Sequence, residues 1–381
     1  MNQPWRSSCL LSLALVLGGS GIGRAAPANE SKSIDVVLCL DVSSSMEGLI
    51  EVAKIRLWDL VNDLARARPT PKLRVALYSY GHVSYSEKDG WVRKEIDLTH
   101  DLDAVYQRLN ELMIHGGQEY VARVSHAALT DQRWFEGSDG LRLIFVCGNE
   151  PATQDPEVTL AEGARLARQK SVIINTIYCN WGNAQPGENE DWKKFARDAG
   201  GQFALIEYDR TLHQIKTPFD DELSKLNDKL NSTFVPYGKR GVERQMNQLI
   251  QDSNAKFAGV DALAGRLGVK AGALYQSGDW CIVSRAIDDP NFDVNRLRVD
   301  DLPDVLRNLK PAERSEWVKK KVAERKEIQK QISELTAKRG RHVEEVKKKN
   351  SSAAEKQFDA ALRRIIREQC GKVGIEIPDK P

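Results

Sequence analysis

Ile34-Asp35-Val36-Val37-Leu38-Cys39-Leu40-Asp41-Val42-Ser43-Ser44-Ser45-Met46 is an apolar run that ends abruptly in one carboxylate and three hydroxyls. Val36, Val37, Leu38 and Leu40 show no polar alternation, the pattern of a central parallel strand covered on both faces. Ligands of open α/β sheets bind in the crevice beyond the strand ends, so the oxygen-rich segment falls where a site belongs. Asp41, Ser43 and Ser45 recur at a spacing of two, which in an extended loop lets their side chains turn to one side. Hard oxygens grouped in this way suit Mg²⁺, or Mn²⁺ or Ca²⁺ in its place. The same residue types also satisfy free N–H groups at a helix start.

Outward from this stretch, strand and helix signals alternate. Leu49, Val52, Leu57, Leu60, Val61 and Leu64 recur at helical spacing between Gly48 and Arg66, and Pro69 and Pro71 stop the helix. Residues 73–80 and 91–98 read as two strands paired as a hairpin at one side of the sheet. Leu102, Val105, Leu109 and Leu112 mark a helix, and Gly116-Gly117 breaks the chain before another that carries Tyr120, Val124 and Leu129. Residues 143–146 form the fourth strand, 157–170 a helix, 172–178 a fully apolar strand, and 202–206 the sixth strand. A short helix from Asp191 precedes it and ends at Gly200-Gly201, as helix C-termini often do.

Asp41-Val42-Ser43-Ser44-Ser45, placed between an apolar strand and an amphipathic helix, resembles the DxSxS signature of the von Willebrand factor type A domain, the fold of integrin I domains. Trp192 and the Ala199-Gly200-Gly201 turn resemble the last third of that domain, so the likeness covers Ser31 to Asp209, nearly half of the chain. It implies a doubly wound, mostly parallel six-stranded sheet, and a metal ion-dependent adhesion site that bridges to a carboxylate on a protein partner. Two positions depart from the pattern. Where the family supplies a Thr ligand the chain has Gly117-Gln118-Glu119-Tyr120, so that Gln118 or Glu119 takes its place, and Glu119 joins Asp41, Ser43 and Ser45 as the metal set. Where the family has Thr-Asp-Gly after the fourth strand, the chain has Cys147-Gly148-Asn149-Glu150. Either Asn149 or Glu150 reaches the site, or the site is degenerate.

Residues 1–25 have the form of a secretory signal: Arg6, an apolar run from Cys9 to Leu17, and Gly23-Arg24-Ala25 as the cleavage point. The expectation is an exported protein, periplasmic or extracellular, with no further segment apolar enough to span a bilayer. Lys and Arg number 56 against 54 Asp and Glu, a net charge of +2, so no global field points to nucleic acid. Cys39, Cys147, Cys179, Cys281 and Cys370 have no metal spacing and form no disulfide framework. Three lie on core strands as small apolar residues, and a Cys39–Cys147 bridge between neighbouring strands is conceivable.

Beyond residue 213 helical periodicity takes over, giving a type A-like domain over 31–212, a helical extension over 213–309 and a charged helical hairpin over 310–381. The first helix of that hairpin has twice as many basic as acidic residues. Lys321, Arg325 and Arg339 interrupt its thin apolar seam, so any coiled coil is weak. Its basic surplus could meet anionic envelope components. No GxSxG, HExxH or Walker loop is present, and a hydrolase built on Ser43 or Ser45 lacks an identifiable base. The expectation is therefore an interaction module and not an enzyme. The rivals are a metal-free scaffold that binds through the basic C-terminal helices, and an envelope hydrolase.

Overall fold

The structure is a computed structural model that describes residues 32–64, 66–180, 187, 189–207, 214–350 and 353–378. The expected signal segment and its cleavage point lie outside these residues. Strand β1 (Ser33–Asp41) runs between β2 (Lys72–Tyr80) and β4 (Gly140–Gly148), parallel to both. The edge strand β3 (Val92–Thr99) pairs antiparallel with β2, while β5 (Ile173–Asn180) and β6 (Gly200–Glu207) extend the sheet in parallel beyond β4. The order β3-β2-β1-β4-β5-β6 is the expected doubly wound sheet, with the expected hairpin at one edge. The chain winds away from β1 in one direction and then from β4 in the other, so the crevice of such a sheet opens between the C-terminal ends of β1 and β4.

The unbroken apolar character of β1 reflects burial on both faces. Val36, Leu38 and Leu40 pack in one layer with α1 (Ile50–Leu64) and α2 (Leu102–Glu111). Val37 and Cys39 pack in the other with α3 (Val121–Asp131), α4 (Leu160–Gln169) and α5 (Glu190–Asp198). This alternation corrects the idea of a Cys39–Cys147 bridge. Cys39 is level with Val146 and Leu40 with Cys147, so the two cysteines point to opposite faces. Cys147 instead has its sulfur 3.4 Å from that of Cys179, and all five described cysteines are buried free thiols.

The extension consists of α6 (Asp220–Asn231), α7 (Gly241–Ala258), α8 (Val260–Lys270), α9 (Ile282–Asp288), the single turn α10 (Asp304–Arg307) and the 40-residue α11 (Pro311–Asn350). Leu223, Leu226, Leu230, Trp280 and Val283 form its core with Ile328 and Ile332 of α11. It docks on the sheet domain through buried charge. Arg266 of α8 reaches Asp252 of α7 and Asp103 of α2, both at 2.7 Å. Lys270 meets Asp252, Asn227 and Asn231, one acceptor for each ammonium proton. Burial costs such charges several kcal/mol each, and only complete pairing of this kind repays it.

Helix α12 (Ala353–Lys372) follows α11 after a short connection, and its Arg363 lies 3.6 Å from Glu344 of α11. Leu362, Ile365, Ile366 and Cys370 enter the same core layer as α1 and the sheet, and Gln369 and Asn175 of β5 exchange two hydrogen bonds. The tail then pairs as a β-bridge, Glu376 with Arg68. Residues 214–350 are therefore inserted between β6 and the last helix of the α/β layer, and Ser31–Pro381 cluster as one unit. Two of the three interruptions in the α11 seam, Arg325 and Arg339, are internal anchors, while Lys321 pairs with Glu324 of its own helix. Arg325 donates to Thr233 and Ser284 and lies 4.0 Å from the centre of the Phe234 ring; Arg339 donates to Asp220 and Asp261. The seam packs on several short helices and forms no coiled coil among the described residues.

Candidate cation site at the sheet crest

Strand β1 ends at Asp41, beside Gly148 at the end of β4, so the carboxylate sits at the crevice. Asp41 and Ser43 are fully buried. The Ser43 backbone N–H donates to Asp41 Oδ1 at 2.8 Å, which turns the chain back over the carboxylate. Ser43 Oγ lies 2.9 Å from Ser45 Oγ, and Ser45 Oγ donates to Asn149 Oδ1 at 2.9 Å. Asn149 returns a bond from Nδ2 to the Ser45 carbonyl at 3.0 Å, locking the loop after β1 to the loop after β4.

Two glycines leave the space in which this cluster forms. Gly81, at φ +84°, lies where a Cβ would come within 3.0 Å of Asp41 Oδ1 and 3.2 Å of both Ser43 Cβ and Glu119 Cγ. Asp41, Ser43 and Glu119 thus surround one point. A Cβ on Gly148 would meet the Tyr80 hydroxyl at 2.4 Å and Asp41 Oδ2 at 3.1 Å. Only glycine admits such approaches without a shift of the neighbours.

Of the two residues left open by the sequence, Glu119 turns inward and is largely buried, while Gln118 is exposed. Gln154 Nε2 donates to Glu119 Oε2 at 3.2 Å. Of the second pair, Asn149 reaches the site by its side chain. Glu150 contributes its charge nearby, and its carbonyl accepts from the Trp192 indole at 2.8 Å. His115 stays outside: its ring is exposed, with the His82 ring 5.5 Å away, and its N–H holds the Val42 carbonyl. No pattern in the chain pointed to Gln154, nor to Tyr80, whose hydroxyl donates to the Cys147 carbonyl at 3.0 Å. The signal for a close approach at Gly81 was a glycine directly after an apolar strand.

The electrostatics are those of crowded acids. Burial pushes the Asp41 carboxyl up to about 8, with Glu119 and Glu150 adding to the effect against the Ser43 N–H. Burial likewise raises Glu119, and Glu150 adds to it. Asp41 Oδ2 is buried and has no hydrogen-bond partner among the described residues, an unmet acceptor of the kind that ordinarily finds a partner. These features fit a small hard cation: two carboxylates, two hydroxyls and an amide oxygen, one carboxylate oxygen unpaired, and, among the described residues, no cationic side chain bonded to the cluster. No group of three His, Cys, Asp or Glu side chains that could hold a metal occurs among the described residues. Any cation here therefore rests on the serine and asparagine oxygens as well as the acids. Neither Ser43 nor Ser45 is hydrogen-bonded to a histidine among the described residues.

No family model matches the chain, and no curated protein matches it. Among solved structures it is similar to the VWA domain of SpRpn10, at 14% identity and a TM-score of 0.35, over 48% of this chain and 90% of that one. It is also similar to proximal thread matrix protein 1 from the mussel byssus, at 11% identity and a TM-score of 0.34, over 46% of this chain and 42% of that one. A form of the mussel protein with a zinc-occupied MIDAS motif gives 11% identity and a TM-score of 0.35, over 48% and 43%. The chain thus spans less than half the length of the mussel protein. Values this low carry no inference about the site.

Proposed function

We propose that the protein is an interaction module that binds a protein partner through a divalent cation held at the sheet crest. The observation that carries this reading is the buried, unpartnered Asp41 Oδ2 amid the oxygens of Ser43, Ser45, Glu119 and Asn149. Asp41, Ser43, Ser45 and Glu119 would hold Mg²⁺ or Mn²⁺, which prefer such hard oxygen donors. A bound cation would supply a docking point for an acidic side chain of the partner. Asp41 and Glu119 fix its place, Asn149 ties the two loops together, and Gly81 and Gly148 keep the space clear. Specificity follows because the partner must present its carboxylate at one defined position. With the expected export signal in residues 1–25, the proposed setting is outside the cytoplasm. The same reading treats the protein as a binder without catalytic activity.

The metal-free rival, binding through a basic C-terminal surface, loses Arg325 and Arg339 to internal contacts but keeps exposed basic residues such as Lys319, Lys320 and Lys326. Calorimetric titration of Mg²⁺ and Mn²⁺ into the purified protein tests the proposal. Saturable binding is expected, and Asp41→Asn is expected to abolish it while leaving the cation-free melting temperature no lower, since the amide keeps the shape of a buried acid. An isotherm that Asp41→Asn does not alter would overturn the reading.

A further inference from the structure

Trp91 sits at φ +52°, directly after Gly90 at φ +67°. Glycine takes this left-handed region freely, but a bulky residue there is an outlier that persists only where its surroundings over-determine it. Two contacts do so here. The Trp91 backbone closes the turn before β3, its N–H donating to the Ser86 carbonyl and its own carbonyl accepting from the Gly81 N–H, each at 3.0 Å. The Trp91 ring meets the Tyr120 ring edge to face, with centroids 5.4 Å apart and planes at 84°. Both partners belong to the candidate cation site: Gly81 faces Asp41, Ser43 and Glu119, and Tyr120 directly follows Glu119. One residue thus grips two walls of that site.

Tyr120 is also held by a second residue. The Arg123 guanidinium lies 5.9 Å from the centre of its ring and is fixed by two hydrogen bonds to Asp155, at 3.0 and 2.8 Å. Asp155 adjoins Gln154, the donor to Glu119. The Arg123 stem lies against Gly90, where a Cβ would come within 2.6 Å of its Cγ. The contacts therefore close into a loop, from the turn through two rings and an ion pair back to Glu119. Glu119 needs such a brace, because burial and the charge of Glu150 work against an inward carboxylate. We propose that Trp91 is a positioning residue of the cation site: its ring, presented by the strained turn, fixes Tyr120 and so keeps Glu119 turned inward before a cation arrives. A ligand held ready spares binding the cost of ordering the loop. The purpose of the brace rests on the cation reading above, whereas the brace itself can be tested without a cation.

Thiol labelling of the cation-free protein with Ellman's reagent tests the brace, against a low background because the five described native cysteines are buried. Gln118→Cys is expected to label rapidly and Glu119→Cys slowly, as the exposure of the one and the burial of the other require. Adding Trp91→Gly to Glu119→Cys should speed its labelling about tenfold, since glycine keeps the left-handed turn and only the ring is lost. Trp91→Phe keeps a ring for Tyr120 and should leave the labelling slow. With Glu119 intact, calorimetric titration should show Mn²⁺ affinity lowered about tenfold by Trp91→Gly and retained in Trp91→Phe. Labelling of Glu119→Cys that is indifferent to Trp91→Gly overturns the proposal whether or not the wild type binds Mn²⁺, and so does Mn²⁺ binding that Trp91→Gly leaves unchanged. A wild type that binds no Mn²⁺, with labelling as expected, overturns the cation reading and with it the site that Trp91 would serve.

Discussion

Asn149 is the residue on which the candidate site turns. Its amide ties Ser45 from both ends, Oδ1 accepting from the hydroxyl and Nδ2 donating to the carbonyl. Asn149→Asp removes that donor and adds a further acid beside Asp41, Glu119 and Glu150. Without cation it should lower stability by about 1–3 kcal/mol, the usual cost of a lost bond to a buried group. With Mg²⁺ it should tighten binding at least tenfold, about 1.4 kcal/mol. Urea unfolding and calorimetry measure the two effects; unchanged or weaker cation affinity would show that position 149 lies outside the coordination sphere. Asp41, Ser43 and Ser45 were legible in the sequence because a spacing of two after an apolar strand has few other readings. Glu119 was legible only as one of two candidates, since its inward turn depends on how the loop after Gly117 packs against Gly81, a contact between segments far apart in the chain. Gln154 was not legible at all.

Among the elements, the strands and the helices of the α/β layers read clearly because each has a single apolar pattern that burial explains. Helix α11 read clearly in its extent but not in its contacts, because its charged residues split between solvent and interior. Arg339 is buried against Asp220 and Asp261. Burial alone would raise the Asp220 carboxyl, but the hydrogen bond and charge of Arg339, with the Thr217 N–H, hold it below the usual range. A carboxylate lowered on folding stabilises the protein at pH above its unfolded value near 3.8, and that contribution is lost as pH falls through the lower folded value. Arg339→Met should therefore cost about 1–3 kcal/mol at neutral pH, less than the loss of a fully buried pair because Asp261 is half exposed and Asp220 only partly buried. The difference from wild type should narrow as pH falls below 4, as followed by denaturant titration. A difference constant across that range would mean that Arg339 acts by packing alone.

In the whole molecule, the helical extension was expected to follow a finished domain, and it interrupts one instead. Leu362, Ile365 and Ile366 of α12 fill the sheet layer beside α1, and burying three such side chains contributes roughly 5–9 kcal/mol. That is comparable to the entire stability of a typical domain, about 5–15 kcal/mol. Removal of residues 353–381 should thus unfold the α/β layers and not merely detach a surface. Limited proteolysis and circular dichroism of the shortened chain measure this, and a protease-resistant sheet domain in it would contradict the placement of α12. Composition could not reveal the return, because an amphipathic helix has the same pattern whether its partner precedes it by 20 residues or by the 194 that separate Asn175 from Gln369. The same insertion sets a schedule for the nascent protein. The six strands emerge from the ribosome first, yet one side of their sheet stays open until the whole extension has been synthesised and the last helix can close over it. The N-terminal portion therefore waits, incomplete, for the C-terminus, and a chain halted anywhere before residue 353 carries a layer whose apolar side chains still face water.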